Sequence, residues 1–262
     1  MDHASWTIRI LFALFAFAVL GRILAARRGA QLFIRRIRGI DALEEAVGRA
    51  TEMGRSVMFV PGIADFNNMA TPAGLQVMQY VGRQCARFGV RMIVPILSAV
   101  VLPVARDMYQ EVCRAEDRLD VFDPNDVRFL SDSQSAFAAA AAGIIERDRI
   151  AGVFYFGSFG FESLLLAETG QRVGAIQVAA TNDAFQIPFF LCACDYTLIG
   201  EELFAASAYL GREPTQLGSI SGQDIGKLAV CLLILVGAAA AMVAVLRGQS
   251  PDFSWVLGLL GQ

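Results

Sequence analysis

The chain has 262 residues, of which 55% are hydrophobic and 18% are charged, and its formal net charge is −3. A chain of this length holds one domain of about 200 residues together with appendages. The composition argues against a nucleic-acid partner, because nucleic acid requires a clustered basic face. The one histidine, His3, stands at the extreme N-terminus. Its position argues against a histidine-based catalytic triad or zinc site in the main domain.

Five cysteines are present, and their odd number and irregular spacing do not indicate a disulfide framework. Cys192 and Cys194 form a C-x-C pair within an apolar run. One interpretation of this pair is half of a metal site. We favour the other interpretation, two small buried hydrophobic side chains, because cysteine is among the residue types most often buried. We predict no bound metal and no cofactor.

The first predicted membrane segment lies near the N-terminus. The uncharged stretch Ile10–Gly21 is flanked by Arg9 and Arg22, whose long side chains can reach the two membrane interfaces. A cleaved signal peptide is the alternative, but no small-residue cleavage site precedes a polar mature start. Six arginines end or follow the segment: Arg22, Arg27, Arg28, Arg35, Arg36 and Arg38. Their charge favours the cytoplasmic side, so we expect an uncleaved anchor over residues 1–28.

A second uncharged stretch, Leu228–Leu246, is long enough to span a bilayer and has one positive charge on each side. We predict a transmembrane helix over residues 227–247 that runs outward. The chain would then cross the inner cell membrane twice, with residues 29–226 as a cytoplasmic α/β domain. The remaining residues, 248–262, are too short to span and are expected to lie in the outer interface.

Between the two membrane segments, short apolar strands alternate with amphipathic helices. The predicted strands are Ser56–Val60, Val90–Leu97, Val127–Leu130, Gly152–Phe156, Gly174–Thr181 and Ile187–Cys194. The predicted helices are Ile40–Met53, Pro72–Phe88, Val100–Ala115, Ser133–Arg147, a short helix that ends at Gly170, and Leu198–Leu210. This alternation implies parallel strands joined by right-handed crossovers. The sequence therefore predicts a Rossmann-like three-layer sandwich with a mainly parallel sheet.

Polar side chains follow the predicted strands, where ligands bind in open α/β sheets. The candidate ligand-binding residues are Asp65, Asn67, Ser158, Glu162, Asp183, Asp195 and Glu201. Carboxylates in this arrangement can bind a divalent cation or perform acid–base chemistry. The competing interpretation is that acids in the first turns of helices only cap them and complement the helix dipole. We expect the loops that carry these residues to converge at one edge of the sheet.

The turn Gly157–Gly160 suggests an anion site at a helix N-terminus. It lacks the full G-x-G-x-x-G spacing and a Walker lysine, and Glu162 puts a negative charge where a phosphate would lie. The turn is not a G-x-S-x-G nucleophile elbow either, and no histidine is available to activate Ser158. A nucleotide site at this turn is therefore the weakest of the alternatives.

Four segments carry a resemblance to a known family: Asp41–Ile63, Phe161–Gly170, Gly174–Thr181 and Cys194–Leu210. Over residues 40–227 the chain resembles a bacterial and archaeal family of membrane-anchored proteins with a domain of unknown function. The resemblance implies no reaction. It implies that the acid-bearing segments Glu162–Glu168 and Asp195–Glu202 belong to the defining core of the domain.

The sequence favours a binding or assembly protein over an enzyme. It has two predicted membrane anchors, a very apolar domain and few candidate catalytic groups. We expect a homo-oligomer or a component of a larger membrane complex, with the lipid bilayer and other membrane proteins as partners. The alternative is a small-molecule or lipid-related enzyme, or a ligand sensor, that uses the acidic cluster at the strand ends. A nucleotide-binding module is a third possibility.

Overall fold

A computed structural model describes residues 6–28, 38–211 and 214–246. The chain divides into two compact units, one formed by residues 35–211 and the other by residues 1–34 together with 212–262. The predicted interfacial tail, 248–262, lies outside the described residues.

The unit 35–211 is built on a six-stranded sheet whose strands are all parallel. The strands are β1 (Val57–Val60), β2 (Met92–Ile96), β3 (Val127–Phe129), β4 (Gly152–Phe156), β5 (Ile176–Thr181) and β6 (Tyr196–Ile199). Their order across the sheet is β3-β2-β1-β4-β5-β6. This is the doubly wound order of the Rossmann fold, so the predicted α/β class and parallel sheet are confirmed.

Helices cover both faces of this sheet. The helices of the unit are α2 (Arg38–Met53), α3 (Ala70–Phe88), α4 (Val101–Ala115), α5 (Gln134–Arg147), α6 (Glu162–Val173), α7 (Ile187–Ala193) and α8 (Glu202–Gly211), with a short 3-10 turn at Leu119–Val121. Helices α2, α3, α4 and α8 contribute to one apolar core, and α5, α6 and α7 contribute to the other. The unit therefore has three layers.

Alternating side chains of the central strands feed these two cores. Phe154 and Phe156 of β4 enter the first core, whereas Val153 and Tyr155 enter the second. All five residues of β4 are buried, as expected of a parallel strand covered on both faces. Phe59 of β1 stacks on Phe156 with ring centroids 5.8 Å apart, which ties the two central strands together on the first face.

The prediction of a strand over Ile187–Cys194 is wrong, because this run forms helix α7 and the last strand, β6, follows it. Pro188 lies in the first turn of α7, where a missing amide hydrogen costs nothing. Within the helix only Phe190 is fully buried, stacked against Tyr155 at 5.3 Å between ring centroids. A short apolar run has no period that separates strand from helix, and length did not resolve the choice here.

Helix α6 does not end at Gly170, as the sequence predicts, but continues to Val173. Its end is Gly174, which has a φ of 72° and so adopts the left-handed conformation of a C-cap. Gly170 serves a different purpose. A Cβ atom at Gly170 would collide with the side-chain amide of Gln177, so the glycine makes room for a buried glutamine.

The second unit contains two long helices, α1 (Trp6–Arg27) and α9 (Pro214–Leu246). Within the described residues, one helix is long and apolar enough to cross a membrane, over Pro214–Val243, so of the two predicted membrane helices only the second is found. Helix α9 begins at Pro214, so Ser221 lies within the helix. The side chain of Ser221 accepts hydrogen bonds from the guanidinium of Arg22, at 2.6 Å from Nη2 and 3.0 Å from Nε.

A row of glycines joins α9 to α1. A Cβ atom on Gly218 would lie 2.5 Å from Cα of Ile23, and one on Gly222 would lie 2.8 Å from Cα of Val19. The next member, Gly226, contacts the ring of Phe15. Each four-residue step forward along α9 matches a four-residue step backward along α1, so the helices are antiparallel. Glycines at this spacing let two helix backbones approach closely.

Candidate functional site

The strand order reverses between β1 and β4, and ligands in doubly wound sheets bind beside the carboxyl ends of such strands. A ligand site is therefore expected beside the loops that follow β1 and β4. The amide of Ile63 donates a hydrogen bond to the carbonyl of Ser158 at 2.9 Å. Gly62 has a φ of 86°, and a Cβ atom there would lie 2.5 Å from that carbonyl. The two loops are therefore in direct backbone contact at the point of reversal.

Glu162, the first residue of α6, is fully buried beside this contact. Its Oε1 accepts a hydrogen bond from the amide of Gly160 at 2.7 Å, and its Oε2 accepts one from the side-chain amide of Gln134. A buried carboxylate needs such donors on its oxygens. The Gly160 amide, which an anion at this turn would need, is occupied by the protein's own carboxylate. The carboxylate of Glu162 therefore occupies the position that an anion would take at this turn.

A second polar contact lies beside Glu162, between α6 and α7. The hydroxyl of Ser163, which is fully buried, donates a hydrogen bond to Oε1 of Gln186 at 2.7 Å. Asp183, after β5, accepts a hydrogen bond from the amide of Phe185 at 2.9 Å, which forms a local turn. Both contacts position the start of α7.

Asp65 and Asn67 follow β1 and are exposed. The carboxylate of Asp65 accepts a hydrogen bond from the hydroxyl of Ser98, which lies after the neighbouring strand β2. Asn67 is followed by Asn68, whose side chain accepts a hydrogen bond from the amide of Ala70 at the start of α3. Asp65 therefore lies toward the β2 side of the reversal point.

Asp195 does not lie with the other candidates. It precedes β6 instead of following a strand, so it stands at the amino-end edge of the parallel sheet. Its Oδ2 accepts a hydrogen bond from the backbone amide of Gln177 at 2.8 Å. The expectation that all of these loops converge on one edge is wrong for Asp195. The reason is the α7 helix, which takes the place of the predicted strand and moves Asp195 to the opposite edge.

The remaining candidates share the carboxyl-end edge but are distributed along it. Asp65 and Asn67 follow β1, Ser158 and Glu162 follow β4, Asp183 follows β5, and the exposed Glu201 follows the edge strand β6. Gln134 is a participant that the sequence analysis missed. It opens α5 directly after β3, and the strand-end rule that selected the other residues would have selected it too.

A buried polar network at the amino-end edge of the sheet centres on Gln177. Its side-chain amide donates to the carbonyls of Ala167 and Ala193 at 2.9 and 3.0 Å, and its Oε1 accepts a hydrogen bond from the Tyr155 hydroxyl at 3.0 Å. Every polar atom of this side chain has a partner. Gln177 is therefore a structural residue that links β5, β4, α6 and α7.

The two cysteines of the C-x-C pair differ in exposure. Cys192 is exposed, whereas Cys194 is partly buried. Burial, together with the nearby charge of Asp195, raises the pKa of the Cys194 thiol to about 12. A protonated thiol is a poor metal ligand. Among the described parts of the chain, no three His, Cys, Asp or Glu side chains are grouped closely enough to hold a metal ion.

A family model described as "Domain of unknown function (DUF6754)" matches residues 1–250 of the chain. No curated protein sequence matches the chain. No solved structure matches it either. The family match includes the complete sheet and both α1 and α9, so the two helices outside the sheet unit are part of what the family model describes.

Proposed function

We propose that this chain, which belongs to the DUF6754 family, is a membrane-anchored α/β protein that acts by binding or assembly. It crosses the inner membrane twice, through α1 and α9, and holds residues 38–211 in the cytoplasm as a homo-oligomer or as part of a larger membrane complex. The observation that carries the proposal is the antiparallel packing of α1 on α9 through the glycine row Gly218, Gly222 and Gly226.

The outward-facing side chains of these two helices are apolar, which supports a location in the membrane. In α1, Phe12 and Phe17 are 72% and 77% exposed, and in α9, Leu235 is 66% exposed. Two helices with apolar side chains on their outer faces and small residues between them are typical of membrane helix pairs. Arg22 and Arg27 at the end of α1 then favour a cytoplasmic location for the sheet unit.

The sheet unit supports a role in binding partners. Helices α6 and α7 pack on each other, and these helices and the turns just before them expose a group of large apolar side chains. One of these is Phe185, which is 85% exposed. The group, here called the α6/α7 apolar surface, consists of Phe161, Leu164, Leu165, Phe185, Phe189 and Leu191. Large apolar side chains exposed in such number are costly in water and, where they adjoin, are typical of interaction sites. Two candidate acids, Glu162 and Asp195, accept hydrogen bonds from backbone amides. Because these carboxylates have a structural role, the arrangement favours binding over catalysis.

Alkaline carbonate extraction of cell membranes, followed by mass measurement of the detergent-solubilised protein, tests the proposal. We expect the chain to stay in the membrane pellet and to leave the detergent column as an oligomer or with a copurifying protein. In a variant with Leu232→Arg and Leu235→Arg, a larger share of the protein should appear in the carbonate supernatant, because charge at a span centre is costly, and the remainder should be held by α1. The matched control, Leu164→Arg with Leu165→Arg on α6, should stay in the pellet. A soluble wild-type chain, or a strict monomer without any partner, would contradict the proposal.

A second candidate function is ligand sensing at the carboxyl-end edge. The observation that favours it is the exposure of Asp65 and Asn67 beside the point where the strand order reverses. Thermal-shift measurements with Mg²⁺, Ca²⁺ and nucleotides test it, since a ligand bound only by the folded state raises the melting temperature. A shift that the double variant Asp65→Ala, Asn67→Ala abolishes would support this function. The absence of any shift would exclude these probes as ligands.

A further inference from the structure

We propose that the arginines at the C-terminal end of α1 bind the headgroup phosphates of anionic phospholipids in the cytoplasmic leaflet. The inference rests on the proposed membrane location of α1 and α9 and specifies the lipid that these helices bind. The group, here called the α1 arginine cluster, consists of Arg22, Arg27 and Arg28. Arg27 and Arg28 are exposed, and Arg22 is partly buried.

The positive charge of this part of the chain is not balanced by nearby acids in the sequence. Seven arginines and no acidic residue stand between Asp2 and Asp41, although the whole chain has a net charge of −3. Arg212 and Glu213, which come directly before α9 in the sequence, add no net charge. The α1 arginine cluster therefore belongs to a strongly positive part of the chain.

Helix α9 holds two of the three guanidinium groups without neutralising them. Nε and Nη2 of Arg22 donate to the hydroxyl of Ser221 at 3.0 and 2.6 Å. Nη2 of Arg27 donates to the hydroxyl of Thr215 at 3.3 Å. Both acceptors are neutral, and within the described residues no carboxylate pairs with any arginine of the cluster. The cluster thus retains its charge for a partner outside the chain.

The depth of the cluster fits one headgroup layer of a bilayer. The segment from Arg22 to Arg28 covers about 9 Å along the axis of α1, and a headgroup layer is about 5–8 Å thick. A guanidinium group binds a phosphate through two parallel hydrogen bonds. Basic residues grouped directly on the cytoplasmic side of a membrane helix are typical of binding to anionic lipids.

Exposed leucines beside the arginines distinguish a lipid from a soluble anion. Leu20 and Leu24, which lie two residues before and after Arg22, are 59% and 53% exposed. A phospholipid satisfies both kinds of side chain, because its acyl chain covers a leucine while its phosphate binds a neighbouring guanidinium. Free phosphate or a nucleic acid would leave these leucines in water. The combination favours a phospholipid as the ligand.

Native mass spectrometry of the purified full chain in detergent tests the inference, with phosphatidylglycerol and phosphatidylcholine of identical acyl chains added in equal amounts. We expect the protein to retain severalfold more phosphatidylglycerol than phosphatidylcholine. In Arg27→Gln with Arg28→Gln, the two lipids should be retained almost equally. The matched control, Arg49→Gln with Arg114→Gln, removes the same charge from exposed positions of α2 and α4 and should keep the wild-type preference. Because the protein is purified, a changed orientation of a variant in the cell does not affect the result.

Inorganic phosphate then separates a lipid site from a site for free phosphate. An excess of it should leave phosphatidylglycerol bound, because it cannot replace the acyl contacts. Displacement by inorganic phosphate, equal retention of the two lipids by the wild type, or the same loss in the control as in Arg27→Gln with Arg28→Gln would each overturn the lipid site. An acidic protein that copurifies in place of the lipid and is lost only from that variant would overturn it too.

Carbonate extraction distinguishes failure of this inference from failure of the proposed function. If any of these contrary results is seen while the wild-type chain stays in the membrane pellet, the lipid site is excluded and the membrane proposal stands. A wild-type chain in the carbonate supernatant overturns both.

Discussion

The amide of Gly160 donates a hydrogen bond to Oε1 of Glu162, 2.7 Å away, so the first turn of α6 is closed by its own side chain. In nucleotide-binding members of doubly wound folds, a phosphate lies at the N-terminus of the helix that follows the first strand. Here the negative group is built into the chain and fully buried. The structure thus retains the local chemistry of an anion site while filling it with protein.

The hydrogen bonds that Glu162 accepts should stabilise the fold. Replacing Glu162→Ala leaves the Gly160 amide and the Gln134 side chain without their acceptor, and we expect the free energy of unfolding to fall by about 2 kcal/mol. Urea denaturation in detergent, followed by circular dichroism, measures the change. The matched control is Glu168→Ala on the exposed side of the same helix, with an effect within about 0.5 kcal/mol. Equal effects of the two substitutions would show that the buried bonds contribute nothing.

Gln177 should be still less tolerant of change. The substitution Gln177→Leu keeps a similar volume but removes three hydrogen bonds and leaves the buried Tyr155 hydroxyl without its acceptor. We expect a loss of about 3 kcal/mol in the free energy of unfolding. Gln171→Leu, at an exposed position of α6, is the comparison and should change stability by less than about 0.5 kcal/mol. A wild-type denaturation curve for Gln177→Leu would contradict the network.

The glycine row predicts a sharp steric effect. In Gly222→Leu the added side chain has no room, because even a Cβ atom would lie 2.8 Å from the backbone of Val19. In Gly21→Leu, by contrast, no atom lies within 4 Å of the added Cβ. Cysteines placed at Arg22 and Ser221, whose side chains now contact each other, can be joined by a short bifunctional maleimide. The yield of linked α1 and α9 should drop severalfold in Gly222→Leu and stay unchanged in Gly21→Leu.

If Gly222→Leu leaves this cross-linking yield at the level of the parent, then the antiparallel contact along the glycine row does not hold the two helices together. The result would also remove the main support for the two-pass arrangement.

Alkaline pH should destabilise the sheet unit. Burial raises the pKa of the Cys194 thiol to about 12, and burial with the Glu44 hydrogen bond raises the pKa of Tyr80 to about 12. In the unfolded chain a thiol ionises near about 8.5, so the unfolded state releases its proton first. Stability is therefore fully present below about pH 8.5 and declines as pH rises toward 12.

Denaturation between pH 8 and pH 11 measures this decline. Cys194→Ala should remove a part of the pH dependence because it removes one of the titrating groups. Cys192→Ala, two residues away and exposed, serves as the control and should retain the wild-type slope. A Cys194→Ala slope identical to that of the wild type would contradict the assignment of a raised pKa to the Cys194 thiol.

Much of the sheet unit could be predicted because its elements bury continuous apolar runs between clear stops. Residues Gly152–Phe156 form the predicted central strand without a shift of boundary. Helix α3 ends before Gly89, as predicted, and this glycine has a φ of 70°. In both cases a local physical preference, either burial on two faces or a left-handed C-cap, agrees with the tertiary fold.

The misplaced features depend on contacts that are distant in sequence. Nothing local distinguishes helix from strand in Ile187–Ala193, because its helical form depends on Phe190 packing over Tyr155. That one error sent Asp195 to the wrong edge of the sheet. The glycine row Gly218, Gly222 and Gly226 was missed for a related reason, since its purpose is visible only when α1 lies against it. Glycines in a polar stretch before an apolar run resemble a loop.

In the function proposed above, α1 and α9 both cross the membrane and leave the sheet unit in the cytoplasm. Labelling of spheroplasts with a membrane-impermeant maleimide tests this claim most directly. In a chain with Cys231→Ser, the exposed native Cys192 reports on the sheet unit, and a cysteine introduced by Gln262→Cys reports on the C-terminal end. We predict that the cysteine at 262 is labelled in intact spheroplasts and that Cys192 is labelled only after the membrane is permeabilised. Labelling of Cys192 in intact spheroplasts, or protection of both positions until permeabilisation, would contradict the two-pass arrangement.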